Sequence, residues 1–564
     1  MCKRALAFAL VLLLLLLTAC STAPAADAPA NNDTPANAPA NNDTPADNDT
    51  PAGSDTPATG NAPAEDDPYG GLVLPLSDGS TTFRVYRATS DSITRFEWDD
   101  FSQVPGFARA EELTGVKIQW EVASDFITQF PLMIASGDWP DAGFYWMNGN
   151  FMTGLDKYVD DEIMLDLTDL IHDYCPNYAK IRTGDEVTAR DTMEDDGRLV
   201  AFYNIMKSEQ GAFMANVANG KWIREWGGDP TLTTYDDYHD FLAFAVDKYH
   251  PEAPYPFNAK GLDPILMAGF ELSPDWVVIE GDVQYSPAEE CCKEYVELMR
   301  QWWSEGLLWK DAFSGERYSF QDAAAGGAAI NMCSMAWIDW QGSFSEDPEY
   351  YAQPVHYPAK KAGDIRHIAH SFSIPRKNEG CCGYLFSTCQ DPVVMAQWFD
   401  FWYTEPGALL ANYGIEGVSY EFDENGKPYF IGYVVDNEEG YAASTAWLRY
   451  IADNVPHHYD WEREINDTMS ENALSSQSIW DGNYEEKYTY PKFVTRPLEE
   501  SEEFGRIMAD VQTYVQENIP RFINGEKSMD EWDDYAAHLK AIGIDKAIRI
   551  QQDAYDRYIA RGTK

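Results

Sequence analysis

Between Thr82 and Trp146 the chain switches twice between the two apolar periods a polypeptide can use. Thr82-Phe83-Arg84-Val85-Tyr86 has strand composition. A helical stretch around Phe107 to Leu113 stops at Thr114-Gly115, where glycine supplies a C-cap. Val116 to Val122 alternates as a second strand. A helix over Phe126 to Ala135 closes at Ser136-Gly137, with Pro131 leaving its start open, and Ala142 to Trp146 is a third strand. Strand, helix, strand, helix, strand predicts a largely parallel α/β sheet. Ligands of such sheets lie beyond the carboxyl ends of the strands, which makes Tyr145 and Trp146 candidates.

The pattern continues at lower contrast. Met164 to Tyr174 has helical spacing, and Gly197 to Tyr203 reads as a hairpin strand. Pro230 to Phe244 carries threonine, then acids, then apolar residues at helical spacing, the order of a capped helix. Glu289 to Glu305 is amphipathic, Ile330 to Trp337 reads as a strand turning into an aromatic loop, and Pro392 to Tyr403 is helical. Asp423-Glu424-Asn425-Gly426 has the composition of a hairpin turn. Helices are expected at Glu503–Glu517, Asp530–Leu539 and Ile544–Tyr558. A chain of 564 residues exceeds what one core holds, so two or more lobes are expected.

The first 68 residues belong to another regime. Lys3 and Arg4 precede an apolar run from Ala5 to Leu17, too short to span a bilayer, and small residues then lead to Cys20: the form of a bacterial secretory signal. Leu17-Thr18-Ala19-Cys20 resembles a lipobox, which implies removal of residues 1–19 and lipid on Cys20. From Ser21 to Asp67 the sequence repeats Asn31-Asn32-Asp33-Thr34-Pro35-Ala36 at Asn41 to Ala46, with almost no large apolar residue. Residues 20–68 are therefore expected to form a disordered tether, and the body is expected at the outer face of the cell membrane.

Acidic side chains number 93 against 41 basic ones, a net charge of −52. That balance excludes nucleic acid, whose binding needs phosphate neutralisation, and adhesion to an anionic membrane surface. Seven cysteines lie beyond the signal region (Cys175, Cys291, Cys292, Cys333, Cys381, Cys382, Cys389), with no Cys-x-x-Cys pair. Buried free thiols are expected, a bridge from Cys381 or Cys382 to Cys389 being the alternative. No Gly-x-Ser-x-Gly, His-Glu-x-x-His or phosphate-cradling glycine loop occurs. His367 and His370 lack a third ligand nearby, and His457-His458 after Pro456 reads as an exposed polar loop. No catalytic or metal-binding residue and no cofactor is expected.

Several segments recur in a characteristic order: Leu132 to Asp141; Trp222-Ile223-Arg224 with Thr233 to Tyr238; Tyr413-Gly414-Ile415-Glu416-Gly417-Val418-Ser419-Tyr420-Glu421; Phe522-Ile523-Asn524-Gly525-Glu526; and Tyr555 to Tyr558. Together they resemble the family 1 extracellular solute-binding lipoproteins of bacterial ABC sugar importers, in the subgroup of lipoprotein LplA and the alginate-binding proteins. The resemblance implies an α/β, two-lobed periplasmic-binding-protein-like (type II) fold with a hinge between lobes. By analogy one lobe is 80–205 plus 372–411 and the other 206–371 plus 412–564. It implies a monomer that captures a carbohydrate, an oligosaccharide, and passes it to the transmembrane subunits of a permease. The calcium loop of alginate-binding relatives is replaced here by Asp247-Lys248-Tyr249-His250-Pro251-Glu252-Ala253-Pro254, too poor in oxygen ligands to hold the ion.

Sugars offer apolar faces that stack on aromatic rings and hydroxyls that need polar partners. Trp337, placed like the family's stacking aromatic, is the first candidate and Trp340 its neighbour. Asp141, Tyr145 and Trp146 follow the turn into the third strand. Tyr203 lies near the first crossing between lobes, and Tyr413 and Glu416 near a later one. Three alternatives stand beside this reading: a secreted glycan-degrading enzyme, a surface binding module without a transporter, and a peptide ligand.

Overall fold

The computed structural model describes residues 67–146, 154–316, 318–368, 376–465, 469–481 and 488–562. Residues 65–564 belong to one unit. The signal, the lipobox and all but the end of the tether lie outside the described residues.

Nine strands build the two principal sheets among these residues: β1 (Thr82–Ala88), β2 (Lys117–Ala123), β3 (Ala142–Trp146), β4 (Phe202–Gln210), β5 (Met214–Asn219), β6 (Ile330–Ser334), β7 (Ala352–Pro354), β8 (Arg376–Leu385) and β9 (His458–Tyr459). The first sheet has the order β9-β4-β8-β3-β1-β2. β1 pairs in parallel with both β2 and β3, as the alternation between Thr82 and Trp146 predicts. β8 runs antiparallel between β3 and β4, and β9 lies parallel to β4. The second sheet is antiparallel, with the order β6-β5-β7.

Strand alternation sends the two faces of the first sheet into different cores. Phe83, Val85, Phe144, Phe202 and Leu385 enter a core with Phe101, Phe107, Trp398, Phe399 and Trp402. Tyr86, Tyr203, Cys382 and Tyr384 enter another with Phe126 and Phe130. Helices α1 (Pro105–Thr114) and α2 (Phe126–Ser136) are the two crossovers. Gly115 ends α1 at φ 69°, and a Cβ there would sit 2.0 Å from the Ser77 carbonyl oxygen, so conformation and space both demand glycine. In α2 the Asp125 carboxylate accepts from Thr128 N–H, and Pro131 is accommodated inside the helix.

The strand expected at Gly197 to Tyr203 begins instead at Phe202 and runs to Gln210. Residues ahead of it are bonded elsewhere: Leu199 N–H donates to Thr168 Oγ1 and the Leu199 carbonyl accepts from Leu167 N–H.

The second lobe's core gathers α3 (Tyr235–Tyr249), α4 (Glu290–Ser304) and the C-terminal helices around Phe241, Tyr295, Trp302, Ile519 and Phe522. α3 opens on a reciprocal cap: Asp237 N–H donates to Thr234 Oγ1, and Thr234 N–H donates to the Asp237 carboxylate. Its last residues are Asp247-Lys248-Tyr249, with His250 as a left-handed C-cap. Later come α5 (Pro392–Phe401), α6 (Glu405–Asn412), α7 (Glu471–Trp480), α8 (Leu498–Ile523), α9 (Trp532–Ile542) and α10 (Ile544–Ile559). α5 and α6 return to the first core through Trp398, Phe399, Leu410 and Ala411, as do Ala452 and Val455.

His457 and His458 are not an exposed loop. His457 is buried, its N–H donating to Asn204 Oδ1 and its ring Nδ1 2.7 Å from the Val455 carbonyl oxygen, and burial lowers its pKa to about 3. His458 belongs to β9. Free edge positions on β4 needed partners, and this segment supplied them. All seven cysteines of the described body are free thiols.

Candidate functional site

The chain passes from the first sheet to the second between Gln210 and Met214. β5 starts at this crossing, and its first residue, Met214, is paired with the last residue of β6, Ser334. Met335 N–H then donates to the Phe213 carbonyl at 2.9 Å. The antiparallel register therefore delivers the residues after β6 to the crossing.

Those residues carry rings. Trp337 and Trp340 lie 6.3 Å apart and remain 46% and 45% exposed. Phe320 stacks on Trp337 with centroids 5.1 Å apart and 25° between planes, and Phe344 packs edge-on to Trp340 at 4.7 Å. Phe320 also reaches Phe344 at 5.4 Å, which closes a four-ring surface. Beneath it Met335 and Ile338 enter a core with Met206, Ala212, Trp461 and Trp480. That anchor is why the indoles stay outside: the buried positions of the turn are already filled by its aliphatic residues. Two half-exposed tryptophans side by side are unusual on a folded surface.

Polar groups border the rings. Asp339, on the same turn as Trp340, accepts from Ser470 N–H at 2.8 Å and from Ser470 Oγ. Ser470 is the N-cap of α7, so Asp339 is held at a helix N-terminus. Asp322 accepts from Ser319 Oγ at 2.6 Å on the Phe320 side.

The remaining residues expected from sequence distribute differently. Tyr145 and Tyr203 both pair with Cys382, from opposite sides of β8, so they share one row and one face of the first sheet. Tyr145 is half-buried, stacked on Phe126 at 4.0 Å, and Tyr203 is buried against Phe493 at 5.7 Å. Trp146 continues β3 opposite Cys381. Asp141 is 3% exposed and its carboxylate accepts from Arg84 N–H, Gln390 N–H and Gln390 Nε2, which fixes the entry to β3. Tyr413 is buried among Tyr420, Phe430 and Trp447, and its hydroxyl donates to Asp460. Glu416 is exposed on the turn that follows. The structure thus unites Trp337 with Trp340, sets Tyr145 and Tyr203 in one row, and turns Asp141 and Tyr413 inward.

Sequence reasoning missed Phe320 and Phe344. Phe344 was legible, four residues beyond Trp340. Phe320 was not, because 16 residues, the whole of β6 among them, separate it from Trp337. Also missed was a second tie between the two packing regions. α10 begins in the second core with Ile544 and Ala547. Its last turns reach the segment before β4, where Asp195 accepts from Arg557 Nε at 3.1 Å and from Arg561 Nε at 2.8 Å. Tyr558 donates to Asp191, which also accepts from Asn378 of β8. Arg561 further donates to the Phe493 carbonyl and Thr495 Oγ1.

Glu194 is buried in this tie, and desolvation, opposed by Arg561 and reinforced by Asp156 and Asp195, pushes its carboxyl up to about 7. The native state therefore holds that proton more tightly than the unfolded chain does. Its contribution to stability is fully present below the ordinary value of 4.5 and is lost as pH rises through about 7. Glu194→Gln should raise unfolding free energy at pH 8 by up to about 3 kcal/mol and leave it unchanged at pH 4, read by urea titration. Equal effects at both pH values would show that the carboxyl is not titrating in this window.

No protein-family profile matches the sequence. The chain is 23% identical over 489 residues, 80% of its length and 86% of the relative's, to a fructooligosaccharide ABC transporter substrate-binding protein, FusA, of Streptococcus pneumoniae serotype 4. The structure of the S. pneumoniae FusA in complex with kestose superimposes with a TM-score of 0.65 at 22% identity, over 85% of this chain and 100% of that one. An alginate-binding protein, AlgQ2, solved without calcium ion, superimposes with a TM-score of 0.66 at 21% identity, over 85% of this chain and 99% of that one. The fold is that of the two-lobed solute-binding proteins, as the sequence resemblance implies, and the chain is a homologue of an ABC transporter substrate-binding protein.

Proposed function

We propose that this protein is the substrate-binding lipoprotein of a bacterial ABC importer, capturing an oligosaccharide between its lobes and handing it to a permease. The observation that carries the reading is the pair of exposed indoles of Trp337 and Trp340, joined by the half-buried rings of Phe320 and Phe344, beside the crossing between sheets. Its spread is more than one pyranose or furanose ring can cover, which favours an oligosaccharide over a monosaccharide. Relatives of the same fold that bind fructooligosaccharide and alginate support it.

On this reading Trp337 and Trp340 are stacking platforms, Tyr145 and Tyr203 border the facing wall, and Trp146, the next residue of β3, is assigned to the same ligand. Asp141 and Tyr413 hold the walls in place, and Glu416 lies at the rim. Lobe one comprises 80–205 plus 372–411, and the packing of Ala452 and Val455 on its core favours adding the segment up to about 455. The ligand favours the closed state by touching both walls, and closure is what the permease recognises. No catalytic step is assigned. Cys20 carries the lipid and the Asn-Asp-Thr-Pro-Ala repeats keep the monomeric body near its importer. Full retention of a Cys20→Ala variant on cells would refute the anchor.

The test is a thermal-shift screen of the secreted body against kestose, nystose, maltotriose, xylotriose and tripeptides. A binding oligosaccharide at a hundred times its Kd adds about 2.7 kcal/mol and should raise Tm by several degrees. Shifts with peptides alone would overturn the carbohydrate assignment. Release of reducing ends from a polysaccharide would favour the enzyme alternative.

A further inference from the structure

One side chain holds three separate stretches of chain together beside the row that Tyr145 and Tyr203 share. Arg561, just beyond the end of α10, is 5% exposed. Its Nε donates to Asp195 at 2.8 Å, one Nη to the Phe493 carbonyl at 2.8 Å and the other Nη to Thr495 Oγ1 at 2.7 Å. A guanidinium is flat and forked, so three acceptors on two other segments fix its plane and fix those segments to each other.

One of those segments, residues 488–497, is a strap laid across both packing regions. On one side it joins the second core. Thr489 forms an isolated bridge with Val277, and the Tyr490 ring lies 6.5 Å from Trp276, which packs on that core. The Tyr490 hydroxyl also donates to the Gln551 carbonyl of α10 at 3.2 Å. On the other side Phe493 packs with the core that holds Tyr203 and Phe126. Its ring meets Tyr203 edge-on, with centroids 5.7 Å apart and 89° between planes. Thr495 Oγ1 donates to Glu194 at 3.3 Å, and a Cβ on Gly154 would stand 3.2 Å from the Thr495 methyl, so the strap is closely seated. A continuous route therefore runs from the Arg561 fork through Phe493 to the Tyr203 ring.

We infer that Arg561 is a positioning residue for ligand binding: through the strap it sets the Tyr203 side of the ligand wall and holds that side in register with the second core. This rests on the oligosaccharide reading, in which Tyr203 borders the ligand, and adds a residue that itself touches no ligand. A wall ordered before the ligand arrives loses less entropy on binding. Without the fork, Phe493 and Tyr203 must be ordered as the ligand binds, and that cost subtracts from the affinity. A fork that only stabilised the fold would lower the melting temperature and leave the affinity of the folded molecules unchanged.

The experiment titrates the secreted body with kestose, nystose, maltotriose and xylotriose by calorimetry, well below the melting temperature of each variant. Arg561→Gln should weaken binding of the tightest probe about tenfold, a common size for coupling between sites. Arg561→Lys keeps a charge for Asp195 but loses the fork, and should recover part of that loss. Phe493→Ala should weaken binding to a similar extent. The double variant, Arg561→Gln with Phe493→Ala, should be little worse than either single one, because both act on Tyr203 by one route. Thr495→Val, at a half-buried position, should weaken binding about threefold and carries the test if Arg561→Gln fails to fold. Wild-type affinity in folded Arg561→Gln, or in Thr495→Val where the former does not fold, would overturn the inference and leave the carbohydrate reading standing. So would losses that multiply in the double variant. No binding of any probe to the wild-type body would overturn both.

Discussion

Removing both indoles, Trp337→Ala with Trp340→Ala, should weaken oligosaccharide binding about a hundredfold or more while leaving the unliganded body folded. A ring buried under a sugar face is worth about 2 kcal/mol, or about thirtyfold, from the apolar area covered and the C–H/π contact. The two rings are 6.3 Å apart and on the proposed reading share one ligand, so their losses will not simply add. Stability should change little, because each ring is half in water already and its buried neighbours Met335 and Ile338 stay. Tm without ligand should fall by no more than about 2 °C. Isothermal titration with the tightest sugar of the screen and a melt of the apo protein separate the two effects. Trp337→Phe should retain part of the affinity, since a smaller ring still presents a face. Wild-type affinity in the double variant would remove the site from this surface.

The largest effect on stability is expected at Arg87. It lies at the carboxyl end of β1, 2% exposed, with its guanidinium 3.5 Å from the centroid of Phe101 and 4.9 Å from that of Phe144. It donates to the Asp453 carbonyl at 3.1 Å, and its second Nη is 3.6 Å from the Asp453 carboxylate, which also accepts from Ser92 Oγ at 2.8 Å. Arg87→Met keeps much of the volume and strands a buried carboxylate, which costs about 3–5 kcal/mol. Adding Asp453→Leu should return most of that loss, because replacing a buried pair by apolar groups is often close to neutral. Calorimetric melts of wild type, single and double variants test this. A single variant within about 1 kcal/mol of wild type would mean that Asp453 is solvated and the pair is not structural. The pair also has a functional side. It ties residues 453–455 to the end of β1, the edge where a ligand is expected, so Arg87→Met should loosen that wall as well.

Local pattern made some of the architecture legible. The alternation from Thr82 to Trp146 became β1, α1, β2, α2 and β3 because period and capping act within a few residues. The helices ending the chain were readable for the same reason, their apolar stripes being long. β8 was not. Arg376-Lys377-Asn378-Glu379-Gly380 has no strand character, yet it is held against β4, and Cys381 to Leu385 pair with β3, so long-range pairing makes the strand whatever its first side chains prefer. His457 and His458 were misread on the same ground, since a polar pair after proline looks like a loop until β4 offers it a ladder.

The candidate site divides along the same line. Trp337 could be picked out in advance because it follows a strand in a place like the family's stacking aromatic, and Trp340 as its neighbour. Whether an aromatic or an acid faces a ligand or the interior is a matter of which atoms arrive from elsewhere. Gln390 came to Asp141, Asp460 came to Tyr413, and Phe320 came to Trp337. By itself the sequence determined the α/β character and the tryptophans on offer, both properties of neighbouring residues. Only the tertiary structure decided which of those side chains remain outside. Burial is settled by contacts across tens to hundreds of residues, and nothing in the local order of side chains records them.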